Sequence, residues 1–233
     1  MVDTTARRLA SIINVLRKSL LTAGLSFALA SLGFYVMSRP LLGWLQERLH
    51  QKLAFFTVTE PFLAHVKISM AMAAFSCMPL LVHLLWRALA KPFKMSQASI
   101  FWFSAFTCLL FYCGAAFCYF ITLPYGIGFL LEFQGEQLRP VISISHFVTF
   151  ISIFILGFGL IFELPIFMIF LAKTAILSRR LFERNRRYAI LIISIVAALL
   201  TPTPDIVNMM LMGLPLYMLY EAGIIVLKLL RIP

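Results

Sequence analysis

Glu163 is the residue whose type and setting most demand an explanation. It lies in Ile161-Phe162-Glu163-Leu164-Pro165-Ile166, within a long apolar run. A carboxylate near the centre of a membrane helix costs about 2.5–3.5 kcal/mol on insertion scales, so it should face protein, water or a ligand. Backbone groups freed by a kink at Pro165, or simple protonation, are the alternative; a polar cavity or partner contact is preferred. Asp205, in Thr201-Pro202-Thr203-Pro204-Asp205, is either a helix cap or a polar contact at a thinned outer face. Glu221 is expected to snorkel or to pair with a nearby Arg or Lys. His65, His83 and His146 are scattered, and no HExxH, nucleophile elbow, P-loop or dinucleotide fingerprint occurs. Cys77, Cys108, Cys113 and Cys118 all fall in apolar runs without zinc spacing, so they read as small packing residues. The expectation is no enzyme, no metal and no cofactor.

The elements that must position these groups are membrane helices. The 233 residues are 62% hydrophobic and only 12% charged, with a mean hydropathy of +0.97. Soluble domains run at about 45–50% apolar and about 25% charged. A net charge of +11 on so few charges reports orientation in such a chain, and no soluble basic face for nucleic acid is visible. A crossing helix needs roughly 20 apolar residues. On that measure the chain is one all-α, polytopic membrane domain over 1–233, with six transmembrane spans at roughly 19–38, 68–88, 100–123, 147–172, 188–203 and 207–226. The last two are short: Tyr188 to Leu227 is 40 residues, about 60 Å of helix, and the Pro-Thr-Pro-Asp turn must come out of it. Local bilayer thinning accommodates such spans.

With the N-terminus inside, fifteen of the twenty Lys and Arg residues fall on inner segments, among them Arg7, Arg8, Arg17, Lys18 and the cluster Arg179 to Arg187. Arg39, Arg48, Lys52, Lys67 and Arg139 make up the outer five. This bias gives an N-in, C-in orientation. The first 18 residues carry no secretory cleavage pattern and read as a cytoplasmic flank. For the cluster Ser178 to Arg187, topology and attraction to anionic lipid are explanation enough. On the outer side, Pro40 suits the first turn of an interfacial helix, with Leu41, Leu42, Leu45 and Leu49 on one face. Thr59-Glu60-Pro61 reads as an N-cap and helix start. Pro124, Gly126 and Gly128 should end the third span, and 126–133 could form a second short interfacial helix.

The order of these elements resembles the TatC subunit of the twin-arginine protein translocase over nearly the whole chain. The stretches that carry the resemblance are Leu16-Arg17-Lys18, Thr59-Glu60-Pro61-Phe62 with Lys67, and Phe111-Tyr112 through Tyr119-Phe120 to Pro124. Gly159-Leu160-Ile161-Phe162-Glu163-Leu164-Pro165, Leu200 to Asp205, and Pro215-Leu216-Tyr217 to Tyr220-Glu221-Ala222-Gly223 complete it. The resemblance implies a cup-shaped six-helix scaffold in the bacterial inner membrane that binds Arg-Arg signal peptides of folded proteins at its cytoplasmic face. It implies small single-span partner subunits of the TatA/TatB type, substrate proteins with twin-arginine signals, and transport driven by the protonmotive force. The lipid bilayer is a further partner, self-association is an option, and nucleic acid is not expected. Glu163 and Asp205 are then polar-cavity or partner contacts, while Pro40, Glu60, Pro61 and Tyr119 are structural or periplasmic positions.

The signal-peptide region departs from the family pattern. The motif His-Leu-x-Glu-Leu-Arg of the family is here Ile12-Ile13-Asn14-Val15-Leu16-Arg17, with Val15 at the glutamate position. The second signal-binding glutamate aligns with Gln97, in a loop with Lys91 and Lys94 and no acid. Two guanidinium groups are best held by bidentate carboxylates, and Arg17 and Lys18 add repulsion. The preferred reading is a translocase subunit with altered or relaxed signal recognition. The alternative is a membrane scaffold or small-solute transporter of the same fold that no longer reads twin-arginine signals.

Overall fold

A computed structural model describes residues 2–49, 53–54, 56–91, 93, 95–132, 142–200 and 206–230, with side chains along the first helix described over 20–43. In chain order the helices are α1 (Val2–Leu49), α2 (Glu60–Ala90), α3 (Gln97–Phe117), α4 (Leu123–Glu132), α5 (Ile144–Phe162), α6 (Leu164–Lys173), α7 (Arg179–Arg184), α8 (Arg186–Leu200) and α9 (Ile206–Leu229). A π-helical turn, Cys118–Thr122, joins α3 to α4. Two-residue strands β1 (Leu53–Ala54) and β2 (Ile142–Ser143) pair in parallel, Leu53 against Ile142 and Ala54 against Ser143. Among the described residues, five helical stretches are long and apolar enough to cross a membrane: Leu20–Gly43, Glu60–Ala90, Gln97–Gly128, Ile144–Lys173 and Met212–Leu229. The 15 residues of α8 rise only about 22 Å, short of a hydrocarbon core of about 30 Å. The chain is a multi-pass membrane protein.

The chain divides into two compact units, Met1–Cys108 with Val141–Ile153, and Leu109–Pro140 with Phe154–Pro233. In the first, α1 packs along α2. Without water, polar side chains in such a pair must satisfy one another. Ser38 Oγ lies 2.7 Å from the Tyr35 carbonyl, to which it donates, and 2.9 Å from His65 Nδ1. Lys67 Nζ donates to Ser145 Oγ at 2.8 Å, and Trp86 Nε1 to Thr107 Oγ1 at 2.9 Å.

In the second unit, small residues let helices approach closely, as membrane packing requires. A methyl on Gly114 would lie 2.6 Å from Phe162 Cγ, and one on Gly159 2.6 Å from Phe111 Cε2. Each helix thus offers a glycine to the other's phenylalanine. Phe117 completes the layer, with ring centroids 5.5 Å from Phe162 and 6.2 Å from Phe158.

Two sequence expectations need correction. Pro40 does not start a separate helix: α1 runs unbroken from Val2 to Leu49 with Pro40 inside it. Membrane helices tolerate the lost bond to the residue 36 carbonyl because it can be satisfied locally. Pro124 and the glycines at 126 and 128 do not end the third span either. The π turn widens the backbone there, with the Leu123 N–H donating to the Cys118 carbonyl, and Pro124 then occupies the first turn of α4, where its missing N–H is tolerated. Thr59 is the N-cap position and α2 starts at Glu60, as expected, although the Thr59 side chain makes no capping hydrogen bond. Glu60 takes over the turn, its Oε2 accepting from the Phe56 N–H at 2.9 Å, with Pro61 in the first turn of α2.

Candidate functional site: a carboxylate in an apolar groove

Pro165 determines where Glu163 sits. Lacking an N–H, it cannot bond back to the Ile161 carbonyl, and its ring crowds that turn. Helix α5 therefore stops at Phe162 and α6 starts at Leu164, with Glu163 at the joint in near-helical backbone (φ −72°, ψ −9°). The chain continues across the joint through Glu163 N–H to the Leu160 carbonyl (3.2 Å) and Phe167 N–H to the Glu163 carbonyl (3.1 Å). A proline two residues after the acid thus marks a break without ending the span.

Glu163 lines a groove of about 450 Å³. Its walls are Leu160, Leu164, Phe167, Met168 and Leu171 on α5 and α6, Phe182 on α7, Ile192, Ile193 and Val196 on α8, and Leu216 and Tyr220 on α9. Tyr220 is the other polar group, and its hydroxyl is committed, donating to the Phe182 carbonyl at 2.8 Å. Glu163 Oε1 is buried and has no hydrogen-bond partner among the described residues. In hydrocarbon such an oxygen is costly unless something else supplies a donor. The groove therefore suits an apolar helix that brings one hydrogen-bond donor.

Glu221, by contrast, is fully engaged. Arg186 ion-pairs with it, Nε lying 2.9 Å from Oε1, and Nη2 donates to Oε2 at 3.0 Å. Tyr217, one turn earlier on α9, donates to Oε1 at 3.0 Å. Glu183 on α7 is 3.3 Å from Arg179 and 3.6 Å from Lys228. These contacts tie α7 and the start of α8 to the end of α9, and so hold three walls of the groove. Of the two alternatives for Glu221, pairing holds. The identity of its partner, 35 positions away, was not readable from local pattern.

The other candidates are spread over the fold. Val15, Arg17 and Lys18 lie on α1, in the part whose side chains are outside the described residues. Gln97 is the exposed first residue of α3. Asp205 falls outside the described residues. Pro40 is exposed within α1, and Glu60 and Pro61 open α2. Tyr119 is half-buried in the π turn, its ring edge-on to Phe120 at 5.0 Å. The sequence reading missed the π turn and the paired glycines. An aromatic four residues before Glu221 and glycines three residues from phenylalanines were the signals available.

Known proteins are similar to this chain in sequence and fold. The family described as Sec-independent protein translocase protein (TatC) matches residues 11–215. Relatives named Sec-independent protein translocase protein TatC include that of Carboxydothermus hydrogenoformans, 35% identical over 78% of this chain and 76% of the relative. That of Helicobacter pylori strain 26695 is 34% identical over 91% of this chain and 84% of the relative. Among solved structures, a crystal structure of the twin arginine translocase receptor TatC in DDM superposes with a TM-score of 0.80 at 27% identity, covering 92% of this chain and 98% of that one. With its sequence matched over most of its length and its fold matched by that receptor, the chain belongs to the TatC family.

Proposed function

We propose that this protein is the receptor and scaffold subunit of a twin-arginine translocase in the bacterial inner membrane. In this reading it crosses the membrane six times with both termini inside, the short α8 and α9 being accommodated by local thinning of the bilayer. It is not an enzyme: it moves folded proteins with small single-span subunits, using the protonmotive force. Glu163 carries the reading. Its buried oxygen has no hydrogen-bond partner among the described residues, in a groove whose other polar group, Tyr220, is committed, and a single-span partner helix with one polar residue would complete it. Asp205 is a further partner contact in this reading.

Signal recognition is altered in this chain. A twin-arginine peptide gains most from carboxylates that take both guanidinium groups as forks. The positions expected to supply them are Val15 and the exposed Gln97, with Arg17 and Lys18 beside the first. Neutral hydrogen bonds hold such a signal less tightly, and charge repulsion adds to the loss. Export of a twin-arginine reporter in a strain lacking its own TatC tests this. Export by the native chain, raised by V15E/Q97E, is the expected result. No export by either version, despite correct membrane insertion, overturns the translocase reading and leaves the scaffold or small-solute transporter alternative.

A further inference from the structure

The segment from Ser178 to Ile195 has two arginine-bearing faces with opposite fates. Arg179, Glu183 and Arg186 follow one another at spacings of four and three, and all three are half-buried and ion-paired, within the segment or to α9. Arg180, Arg184 and Arg187 follow at the same spacings one residue on, so they form a second stripe. These three are exposed, and none has an ion-pair or hydrogen-bond partner among the described residues. The helical course persists across Asn185, whose N–H donates to the Leu181 carbonyl and whose carbonyl accepts from Tyr188 and Ala189. The stripe spans about 10 Å along the axis.

The apolar continuation of this face identifies the ligand. At further spacings of four, the stripe becomes Leu191, 57% exposed, and Ile195, 51% exposed, with Tyr188 at 66% between them and the arginines. Along one exposed face the order is thus guanidinium, phenol, aliphatic. That is the order of a membrane interface: charge at the headgroups, an aromatic at the boundary, alkyl groups in hydrocarbon. A soluble anion or an acidic peptide would engage the arginines and leave the aliphatic part bare. A lipid with an anionic headgroup matches both parts at once.

We propose that Arg180, Arg184 and Arg187 form a binding site for the phosphate headgroup of an anionic phospholipid, whose acyl chains lie along Tyr188, Leu191 and Ile195. Guanidinium groups suit phosphate because they offer paired, directional donors. Bound lipid would anchor α7 and α8 from outside, while Glu221 and Glu183 anchor them from inside. The opposite side of α8 carries Ile192, Ile193 and Val196 into the Glu163 groove, so the lipid would brace one groove wall.

Native mass spectrometry of the full-length protein in mixed micelles, counting retained phosphatidylglycerol against phosphatidylcholine, tests the site. The native chain should retain phosphatidylglycerol preferentially, and added salt should erode the preference. R180Q/R184Q/R187Q should lower it by about 10²-fold, on the order of fivefold per arginine. R180K/R184K/R187K should keep most of it, and R179Q/R186Q should keep it while unfolding more readily. An undiminished preference in R180Q/R184Q/R187Q, or one insensitive to salt in the native chain, overturns the proposal. Displacement of the lipid by an equal concentration of free glycerol phosphate overturns it too, since the acyl contacts would then contribute nothing.

Discussion

Glu163 and Glu221 are carboxylates on apolar helices of the same unit, and their circumstances are opposite. Glu221 has a guanidinium partner and a phenol; Glu163 has a buried oxygen with no described partner. A satisfied acid holds structure together, whereas an unsatisfied one costs stability and persists where something outside the fold uses it. Residue type therefore says little about role here, and partners say most of it. The comparison predicts that the two acids respond to substitution with opposite signs.

The largest effect belongs to Glu163→Leu. Removing an uncompensated carboxylate from hydrocarbon should raise unfolding stability by up to about 2.5–3.5 kcal/mol, measured by thermal unfolding in detergent. The same variant should lose reporter export and crosslinking to the single-span subunit. Unchanged export would break the comparison, because Glu163 would then be a tolerated defect. Export should also fall further in Glu163→Ala than in Glu221→Ala.

Gly159→Ala separates packing from polarity. Its methyl would meet Phe111 at 2.6 Å, and overpacking of this kind costs about 1–3 kcal/mol. Stability and export should fall together, with no loss of subunit crosslinking per folded molecule. A crosslinking defect at normal stability would show that the groove is sensitive to packing beyond its own walls.

How much of this contrast was readable in advance depends on distance along the chain. Glu163 announced itself, because an acid in an apolar run two residues before Pro165 is costly in any fold. Helical membrane architecture followed from hydropathy, and the short α8 from the prolines at 202 and 204 in the sequence that follows it. Pro40 and Pro124 misled for different reasons: inside a membrane helix neighbouring groups can repair the backbone around Pro40, whereas Pro124 follows the π turn into the first turn of α4, where its missing N–H is tolerated. The Arg186–Glu221 ion pair and the Gly114–Phe162 and Gly159–Phe111 contacts depend on helix rotation and depth, which no local pattern records. The same holds for the difference between Arg179 and Arg180, adjacent in sequence and opposite in environment.

Glu221→Gln tests the satisfied half of the pair. It removes the charge that Arg186 binds while keeping the shape. Glu221 and Arg186 side chains are 26% and 44% exposed, so solvent screens part of the interaction. The expected loss is about 1–2 kcal/mol of stability, with export reduced only in proportion to the folded fraction. A disproportionate export defect would move Glu221 into the same class as Glu163.

Tyr217→Phe should have the smallest effect, since solvent competes for the one hydrogen bond it removes, and it carries the sharpest internal check. If the phenol acts only by donating to Glu221 Oε1, its removal costs less once Glu221 is already Gln, because the charged acceptor is gone. The double variant Y217F/E221Q should then be more stable than the sum of the single losses predicts. Additive losses would mean that Tyr217 contributes through packing on α9. In that case Arg186 alone satisfies Glu221, and the contrast with Glu163 rests on a single ion pair.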